Sequence, residues 1–371
     1  MTHGPNGNGG ANGNGRGRLT EDLLRPSPVT IGVVGLGYWG PNLVRNLHEL
    51  EAADVAWVCD RQPELLAGLR RRYPAIDATT SYDDLLRDDS LEAIAIATPV
   101  SSHFELAAAA LDAGKHVFVE KPLAASSAEA IELMRRAEER GLVLMPGHTF
   151  LYSPPVNAIR SLVDAGELGD VYFISTSRVN LGLHQPDVSV TWDLGPHDFS
   201  ILRYWLGETP THVSALTRCC VIPGTPDVAF INLEFPSGTV AHVELSWLAP
   251  SKLRRTTVVG SEKMIVYDDT SNEPVRVFDS GVSLPNPETF GEYKLSYRTG
   301  DIVSPHVEAA EPLYVEMQDF CRAIREGGAP RSSAEIGLEV VRIVEAVDAS
   351  LDNNGARVEV AAVSSRLGPA D

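Results

Sequence analysis

The sequence predicts an α/β protein of two domains: a parallel sheet covered by helices, then an α+β domain with mostly antiparallel strands. Three observations carry this prediction. The chain has 371 residues, which is enough for two hydrophobic cores. Between residues 30 and 146, short apolar runs alternate with helical segments. Beyond residue 150, apolar and polar residues alternate in the manner of β-hairpins.

The two ends of the chain are predicted to lie outside this fold. Residues 4–18 read GPNGNGGANGNGRGR, which is nearly free of apolar side chains and cannot bury a core. The predicted division is a tail over 1–27, a first domain over 28–147, a second domain over 148–362 and a tail over 363–371.

In the first domain, five buried strands are expected at the runs TIGVVG, VAWVC, AIAIA, HVFVE and LVLMP. Ser81, Ser102 and Ser126 each precede a carboxylate by three residues, which is the pattern of a helix N-cap. Gly114 suits the left-handed position that ends a helix. Repeated strand–helix–strand units of this kind predict a parallel sheet with helices on both faces.

In the second domain, AFINLEFPSGTVAHVELSWL alternates apolar and polar residues across a Ser237-Gly238 turn, which predicts an antiparallel hairpin. The stretch RRTTVVGSEKMIVYDD repeats the pattern. Two helices, at about 312–326 and 333–352, close the chain. One face of this sheet is expected to be covered by helices, which leaves the other face for association.

Composition and charge limit the range of functions. The chain is 43% hydrophobic and 22% charged, with 50 acidic against 31 basic side chains and a net charge of −19. So acidic a surface repels phosphate backbones and anionic membranes, and neither nucleic acid nor a membrane is an expected partner. The four cysteines lack the spacing of a zinc site or disulfide framework, so no metal is expected. We therefore expect a cytoplasmic protein with reduced thiols.

The stretch Gly35-Leu36-Gly37-Tyr38-Trp39-Gly40 fits the pattern G-x-G-x-x-G. It follows a wholly apolar strand and leads into an amphipathic helix, an arrangement that directs backbone N–H groups and the positive helix end at a pyrophosphate. Gly35 permits the tight turn, Gly37 lets the phosphate approach the backbone, and Gly40 allows close packing of strand and helix. A plain glycine-rich turn is the alternative for the motif taken alone.

Asp60 lies twenty residues beyond Gly40, at the end of the second predicted strand. A carboxylate there accepts hydrogen bonds from both ribose hydroxyls and repels a 2′-phosphate, which favours NAD over NADP. The adjacent Arg61 weakens this preference, because a guanidinium pairs well with a 2′-phosphate. The sequence therefore predicts NAD as the cofactor and leaves NADP open.

Two further stretches carry candidate chemistry. Lys121, in VEKPL, stands at the carboxyl end of a parallel strand, where open α/β sheets place their ligands. Its ammonium group can polarise a hydroxyl or carbonyl oxygen, although a surface lysine is the ordinary alternative.

Asp193 and His197 are four residues apart and share one face of a helix. A carboxylate beside an imidazole suits a general base, and an N-cap aspartate with a packed histidine is the alternative. Pro196 suggests that this helix begins close to the pair.

These residues together resemble the Gfo/Idh/MocA oxidoreductases. The glycine loop, Asp60, ATPVSSH (97–103), EKP (120–122), GHTF (147–150) and D-x-x-x-H (193–197) occur in that family's order, over about residues 29–360. The resemblance implies an N-terminal Rossmann domain and a C-terminal domain built on a large open sheet. It also implies hydride transfer between NAD(P) and a ring hydroxyl of a sugar, inositol or nucleotide sugar, and a homodimer or homotetramer formed through that sheet.

The resemblance also implies roles for individual residues. Lys121 would bind the reacting oxygen, His197 would take the hydroxyl proton, and Asp193 would orient His197 and contact the substrate. Pro122 would follow a cis peptide bond. The implied cofactor contacts are Gly35, Gly37, Tyr38, Trp39, Gly40, Asp60, Arg61, Thr98, Pro99, His103, Glu120 and Lys121. The implied substrate contacts are Lys121, His148, Tyr152, Arg178, Asn180, Asp193 and His197.

The substrate is predicted less sharply than the chemistry. GYWGPNLVRN, GHTFLYSPPV and WDLGPHD look most like a subgroup found among nucleotide-sugar 3-dehydrogenases, which suggests oxidation at C3. Tyr152, Arg178 and Asn180 have ordinary packing explanations as well. An inositol dehydrogenase, a 3-ketosugar reductase, a glycosidase that uses NAD transiently and a non-catalytic dinucleotide sensor stay open as alternatives. A sensor has no need of a proton-transfer group, and a glycosidase would release sugar without net NADH.

Overall fold

The computed structural model describes residues 27–182, 184, 188–283 and 295–362. The predicted tails over 1–27 and 363–371 lie, except for Ser27, outside these residues.

The first part of the chain builds a six-stranded parallel sheet. Its order is β3-β2-β1-β4-β5-β6, so the order of the strands reverses between β1 and β4. In sheets of this kind, ligands bind in the crevice that opens at that reversal, beyond the carboxyl ends of the strands. The strands are β1 Val29–Val34, β2 Ala53–Cys59, β3 Asp77–Thr79, β4 Ala93–Ile96, β5 His116–Glu120 and β6 Leu144–Gly147.

Helices connect these strands: α1 Gly40–Glu49, α2 Pro63–Arg72, α3 Tyr82–Arg87, α4 His103–Asp112 and α5 Ser127–Arg140. Of the three predicted N-caps, that of Ser126 forms, because its hydroxyl accepts the backbone N–H of Glu129 at 3.2 Å. The Ser102 hydroxyl instead donates to Thr98 and to the carbonyl of Pro99. Gly114 takes the expected positive φ, of 75°.

The rest of the chain builds a nine-stranded mixed sheet in the order β14-β13-β12-β11-β7-β10-β9-β8-β15. Only the β7–β10 pair is parallel among its described pairings. Both predicted hairpins are present, as β9–β10 and β11–β12. The strands are β7 Val171–Leu181, β8 His212–Arg218, β9 Val228–Glu234, β10 Val240–Ser246, β11 Leu248–Gly260, β12 Met264–Asp268, β13 Val275–Ser283, β14 Ser296–Val303 and β15 Val358–Glu359.

Four helices follow the first sheet: α6 Pro154–Asp164, α7 Val190–Leu206, α8 Pro312–Glu326 and α9 Ala334–Asp352. Phe199 and Trp205 of α7 are buried against the second sheet in the same hydrophobic cluster as Ile231 and Val243. The fold class predicted from the sequence is therefore confirmed. None of the described helices has the length and apolar character needed to cross a bilayer.

Helix α8 lies far along the chain but completes the core of the first sheet. Leu313, Met317 and Phe320 are buried in one cluster with Phe118 of β5, and the rings of Phe118 and Phe320 meet edge to face at 6.0 Å. The first core therefore includes side chains from beyond residue 147, and the two sheets are tied together rather than joined by a single linker. Residues at the carboxyl ends of β5 and β6 line one cavity together with Arg254 of β11, so this end of the first sheet faces the second sheet.

Candidate active site

The glycine loop has the local geometry of a dinucleotide cradle. Gly35 has φ 89°, a conformation that side chains other than glycine rarely adopt. A Cβ on Gly40 would overlap the carbonyl oxygen of Gly35, so only glycine lets helix α1 approach the strand so closely. A Cβ on Gly37 would meet nothing within 4 Å. The first turn of α1 carries no acidic side chain, which keeps its positive end open to an anion.

A cavity of about 640 Å³ lies over this loop and the carboxyl ends of β1, β2 and β4. One nucleotide half of a dinucleotide suits this cavity. Gly35 and Gly37 leave room above the backbone for a phosphate, and the Asp60 carboxylate lies beside them at the end of β2. The predicted cofactor residues on its wall are Gly35, Gly37, Asp60, Arg61, Thr98 and Pro99.

The Asp60 carboxylate already holds the neighbouring loops in place. One oxygen accepts the backbone N–H of Leu36 at 2.6 Å and the other accepts that of Gln62 at 2.8 Å. Each carboxylate oxygen has a second lone pair, so both remain able to accept a hydroxyl from the cavity. Asp60 therefore links the glycine loop to the strand end while it lines the cavity.

A second cavity, of about 360 Å³, lies between the first sheet, α1 and the second sheet. Lys121 and His197 both line it, as do Glu120, Phe150 and Arg254. The sequence predicted that the strand-end lysine and the helix histidine meet at one place, and the structure brings them to one cavity. The Lys121–Pro122 peptide bond is cis, as predicted.

Asp193 lies against Lys121 and forms no described hydrogen bond to His197, which differs from the predicted pairing. The Lys121 ammonium donates to the Asp193 backbone carbonyl at 2.8 Å and to its carboxylate at 3.2 Å. The indole N–H of Trp247 donates to the other carboxylate oxygen at 3.2 Å. Helix α7 begins at Val190, close to the pair as Pro196 suggested, so Asp193 lies in its first turn and contacts Lys121 just beyond β5. Two of the three ammonium protons of Lys121 are thereby taken, and the third has no partner among the described residues.

His197 is held by packing rather than by a carboxylate. Its ring meets Phe150 edge to face at 5.1 Å, and its Nδ1 is buried without a hydrogen-bond partner. Burial lowers the pKa of His197 well below its usual value, and the positive charges of Lys121, Arg178 and Arg254 lower it further. The imidazole is therefore neutral near pH 7, with a lone pair able to accept a proton.

Two buried carboxyl groups, Glu120 and Glu316, lie near each other, and Glu120 directly precedes Lys121. Burial raises the pKa of Glu120 to about 7, although the nearby Lys121 ammonium opposes the shift. Burial also raises the pKa of Glu316 well above its usual value, and the charges of Glu120 and Asp319 add to the effect. Thr149 donates a hydroxyl hydrogen bond to Glu316 at 2.7 Å. Glu120, which the sequence assigned to the cofactor, lies on the wall of the second cavity.

The Glu120 titration predicts a pH dependence of stability. The unfolded carboxyl loses its proton near pH 4.5 and the folded one near pH 7, so the folded chain binds the proton more tightly in this window. Stability should therefore fall as the pH rises from 4.5 through 7, by about 3 kcal/mol for this group. Glu120→Gln removes the titration. We expect urea unfolding to show the variant gaining about 3 kcal/mol over the parent protein between pH 5 and pH 8.5.

The exposed Glu138 supplies the control for this measurement, since Glu138→Gln should shift stability equally at both pH values. An unchanged difference between Glu120→Gln and the parent protein at the two pH values would contradict a raised pKa at Glu120.

Two predicted substrate residues do not reach either cavity. Tyr152 is buried; its hydroxyl donates to Asp319 at 2.8 Å and accepts the backbone N–H of Ser332 at 3.0 Å. The resemblance implied a substrate contact for Tyr152, but the short helical turn over Thr149–Tyr152 directs it into the core. His148 is fully buried with neither ring nitrogen hydrogen-bonded, and burial lowers its pKa to about 3.

Arg178 also differs from its predicted role. Its guanidinium forms a buried ion pair with Asp198, at 2.6 and 3.2 Å, and lies over the Phe150 ring at 4.6 Å. It therefore supports Phe150 rather than facing the cavity. Asn180 follows two residues later on the same strand face, partly exposed, and its contact with substrate stays a prediction.

His103, Tyr38 and Trp39 occupy different places around the predicted cofactor. The ring nitrogens of His103 lie 2.9 Å from the carbonyl oxygens of Pro122 and Thr98, so this histidine ties the EKP turn to the end of β4. Tyr38 is exposed and packs edge to face on Trp39. Trp39 lines the second cavity rather than the first.

The sequence interpretation did not identify Phe150 and Arg254 as wall residues of the second cavity. Phe150 lies within GHTF but looked like an ordinary apolar residue. Arg254 lies in KLRRTT, where only the strand register distinguishes an inward arginine from an outward one. The alternation of β11 supplies that signal, because Thr256 and Val258 on the same face are buried.

Comparison with known proteins matches both parts of the chain to one family. Residues 29–148 match the family model described as an oxidoreductase family with an NAD-binding Rossmann fold. Residues 156–266 match the model of the GFO/IDH/MocA C-terminal domain. The two matched segments together span well over half of the chain.

Individual relatives agree with these matches over almost their full lengths. The scyllo-inositol 2-dehydrogenase (NAD(+)) of Bacillus subtilis is 28% identical over 330 residues, covering 84% of this chain and 92% of the relative. The structure of GenD2 from gentamicin A biosynthesis, in complex with NAD, has a TM-score of 0.77 at 26% identity and covers 91% of this chain and 97% of its own. UDP-N-acetylglucosamine 3-dehydrogenase GnnA of Acidithiobacillus ferrooxidans has a TM-score of 0.73 at 25% identity, covering 87% and 99%.

Proposed function

Because this chain belongs to the Gfo/Idh/MocA family of NAD-binding oxidoreductases, we propose that it transfers a hydride between NAD and a ring hydroxyl or keto carbon of a sugar or nucleotide sugar. The observation that carries the proposal is the position of Lys121 and His197 on the wall of one cavity, beside the glycine loop that would hold the dinucleotide. The named relatives include an inositol 2-dehydrogenase and a nucleotide-sugar 3-dehydrogenase, which supports a ring alcohol as substrate. The second of them supports C3 as the carbon oxidised.

Lys121 binds the reacting oxygen in this proposal. Its ammonium has one proton left after its two bonds to Asp193, and Lys121 lines the cavity in which a substrate hydroxyl would accept that proton. A cation beside a hydroxyl oxygen favours the alkoxide character that develops as the carbon is oxidised. Asp193 acts as a positioning residue, since its carbonyl and its carboxylate, itself held by Trp247, fix the ammonium.

His197 takes the hydroxyl proton during oxidation and returns it during reduction. The neutral ring accepts a proton without first having to lose one, because burial and the surrounding cations keep its pKa low. Bound NAD supplies the acceptor for the hydride, and Gly35, Gly37, Asp60 and Thr98 would hold it.

Assembly and location complete the proposal. The face of the second sheet away from α7 exposes apolar side chains on neighbouring strands, including Phe173, Leu216, Phe230 and Val240. Exposed apolar patches of this kind mark interaction sites, which supports a homodimer or homotetramer formed through this face.

The four cysteines are unpaired, which supports a reducing cytoplasmic setting.

A substrate screen tests the function. The purified chain is mixed with NAD or NADP and, separately, with nucleotide sugars, free sugars and inositols, and reduced nicotinamide is followed by its absorbance. We expect reduction of NAD by at least one sugar-type alcohol, and a weaker reaction with NADP because Asp60 repels its 2′-phosphate. Release of free sugar with no change in nicotinamide absorbance would instead identify a glycosidase, and no reaction in either assay would contradict the proposal.

A further inference from the structure

Two arginines face each other on the inner side of the second sheet. Arg254 of β11 is the direct antiparallel partner of Arg178 of β7. Like charges directly opposite each other on neighbouring strands destabilise a sheet. The pair therefore calls for an explanation other than ordinary packing.

Each arginine forms an ion pair with its own carboxylate, but the two ion pairs differ in their exposure to solvent. The Arg178–Asp198 pair is closed off, with side chains only 5% and 4% exposed. The Arg254–Asp269 pair is open, with a single contact of 3.0 Å and side chains 33% and 26% exposed. Arg178 is thus a structural group, whereas Arg254 is a solvated guanidinium at the wall of a cavity.

Phe150 connects Arg254 to the reacting groups. Its ring has Arg178 at 4.6 Å, Arg254 at 5.4 Å and the His197 ring at 5.1 Å. Arg254 therefore lies one aromatic ring away from His197, on the wall of the same cavity. A sugar whose hydroxyl contacts His197 has its neighbouring substituents within reach of that guanidinium.

Among the described residues, Arg254 has more nitrogen donors without a partner than the other two cations on this cavity wall, Arg45 and Lys121. Among the described residues, only one of its terminal nitrogens has a hydrogen-bond partner, and the other terminal nitrogen and Nε have none. In contrast, Arg45 on the same wall is bound by both oxygens of Glu311, and Lys121 is bound by Asp193. A planar guanidinium with two free donors matches the paired oxygens of a carboxylate or phosphate.

We propose that Arg254 determines substrate specificity by binding an anionic group of the sugar, either a carboxylate or a phosphate, while the reacting hydroxyl lies between Lys121 and His197. This proposal rests on the proposed function and narrows its substrate class to acidic or phosphorylated sugars. Neutral sugars and inositols then bind the same cavity without the charged contact.

Binding to the full chain loaded with NAD tests the proposal, because this readout does not require turnover. The probes are glucose, glucuronate, glucose 1-phosphate and UDP-glucose, titrated by calorimetry. We expect at least one anionic probe to bind about 10-fold or more tightly than glucose, the usual effect of a charge-assisted hydrogen bond. Preference for glucuronate identifies a carboxylate, and preference for the two phosphorylated probes identifies a phosphate.

Three variants separate recognition from folding. Arg254→Met should remove the preference for the anion, and Arg254→Lys should restore part of it because the charge is kept. Arg255→Met is the matched control, since Arg255 is exposed on the opposite face of β11 and should keep the full preference. If glucose binds as tightly as every anion, if none of the anions binds, or if Arg254→Met keeps the preference, the proposal is wrong. Its failure is distinct from failure of the proposed function, which shows as the absence of nicotinamide reduction with any alcohol.

Discussion

Replacing Lys121 or His197 with alanine should lower turnover by about 10²- to 10⁴-fold and leave NAD affinity nearly unchanged. Both side chains line the second cavity, whereas we propose that the dinucleotide binds in the first cavity, against the glycine loop, Asp60 and the end of β4. The loss should therefore appear in kcat and not in the dissociation constant of NAD, which quenching of tryptophan fluorescence measures.

The double variant sharpens this prediction. If both groups act on one oxygen in one step, the combined loss should be much smaller than the product of the two single losses. Lys263→Ala and His48→Ala are matched controls, because Lys263 forms a surface ion pair with Glu167 and His48 is exposed at the end of α1. Full turnover in either alanine variant at position 121 or 197 would exclude the mechanism proposed for it.

The glycine loop provides the second large effect. Gly40→Ala should destabilise the chain by about 3 kcal/mol, because the new Cβ overlaps a backbone carbonyl that cannot rotate away. Gly37→Ala should leave the stability unchanged, since its Cβ meets no protein atom within 4 Å. It should nevertheless weaken NAD binding by about 10-fold or more, because that open space is where a pyrophosphate approaches the backbone. Thermal unfolding and NAD titration measure the two quantities.

Gly68→Ala is the control for both glycine variants. Gly68 lies inside α2, where an added Cβ meets only the far end of Arg71, so alanine should stabilise the helix by about 0.5–1 kcal/mol. A Gly40→Ala protein as stable as the parent protein would contradict the close approach of α1 to Gly35. A Gly37→Ala protein with unchanged NAD affinity would contradict the assignment of this loop to the dinucleotide.

The sequence predicted the first sheet well because its strands are apolar and its turns carry glycine at the required positions. The exception is β3, Asp77–Thr79, which is short and lies at the sheet edge, so it shows no apolar run. The N-caps were less predictable: Ser126 caps its helix, while the Ser102 hydroxyl turns back to Thr98. Local spacing cannot decide between such competing acceptors.

For the candidate site, the sequence predicted where each residue lies on its own strand or helix, but not which residues of different elements contact each other. The predicted positions of Lys121 at a strand end and of His197 on a helix agree with their places on the wall of one cavity. The pairing of Asp193 with Lys121 instead of His197 depends on how α7 docks against the end of β5. That is a long-range contact, and a single sequence read by local spacing carries no information about it. The alternation of β11 indicates the inward position of Arg254, but not the cavity that its side chain lines.

The structure of the chain with NAD and the best alcohol from the screen tests the central claim most directly. We expect one hydroxyl oxygen of that alcohol within hydrogen-bond distance of both the Lys121 ammonium and the His197 imidazole, with its carbon facing the nicotinamide. An alcohol whose reacting oxygen contacts neither side chain, or only one of them, would contradict the account.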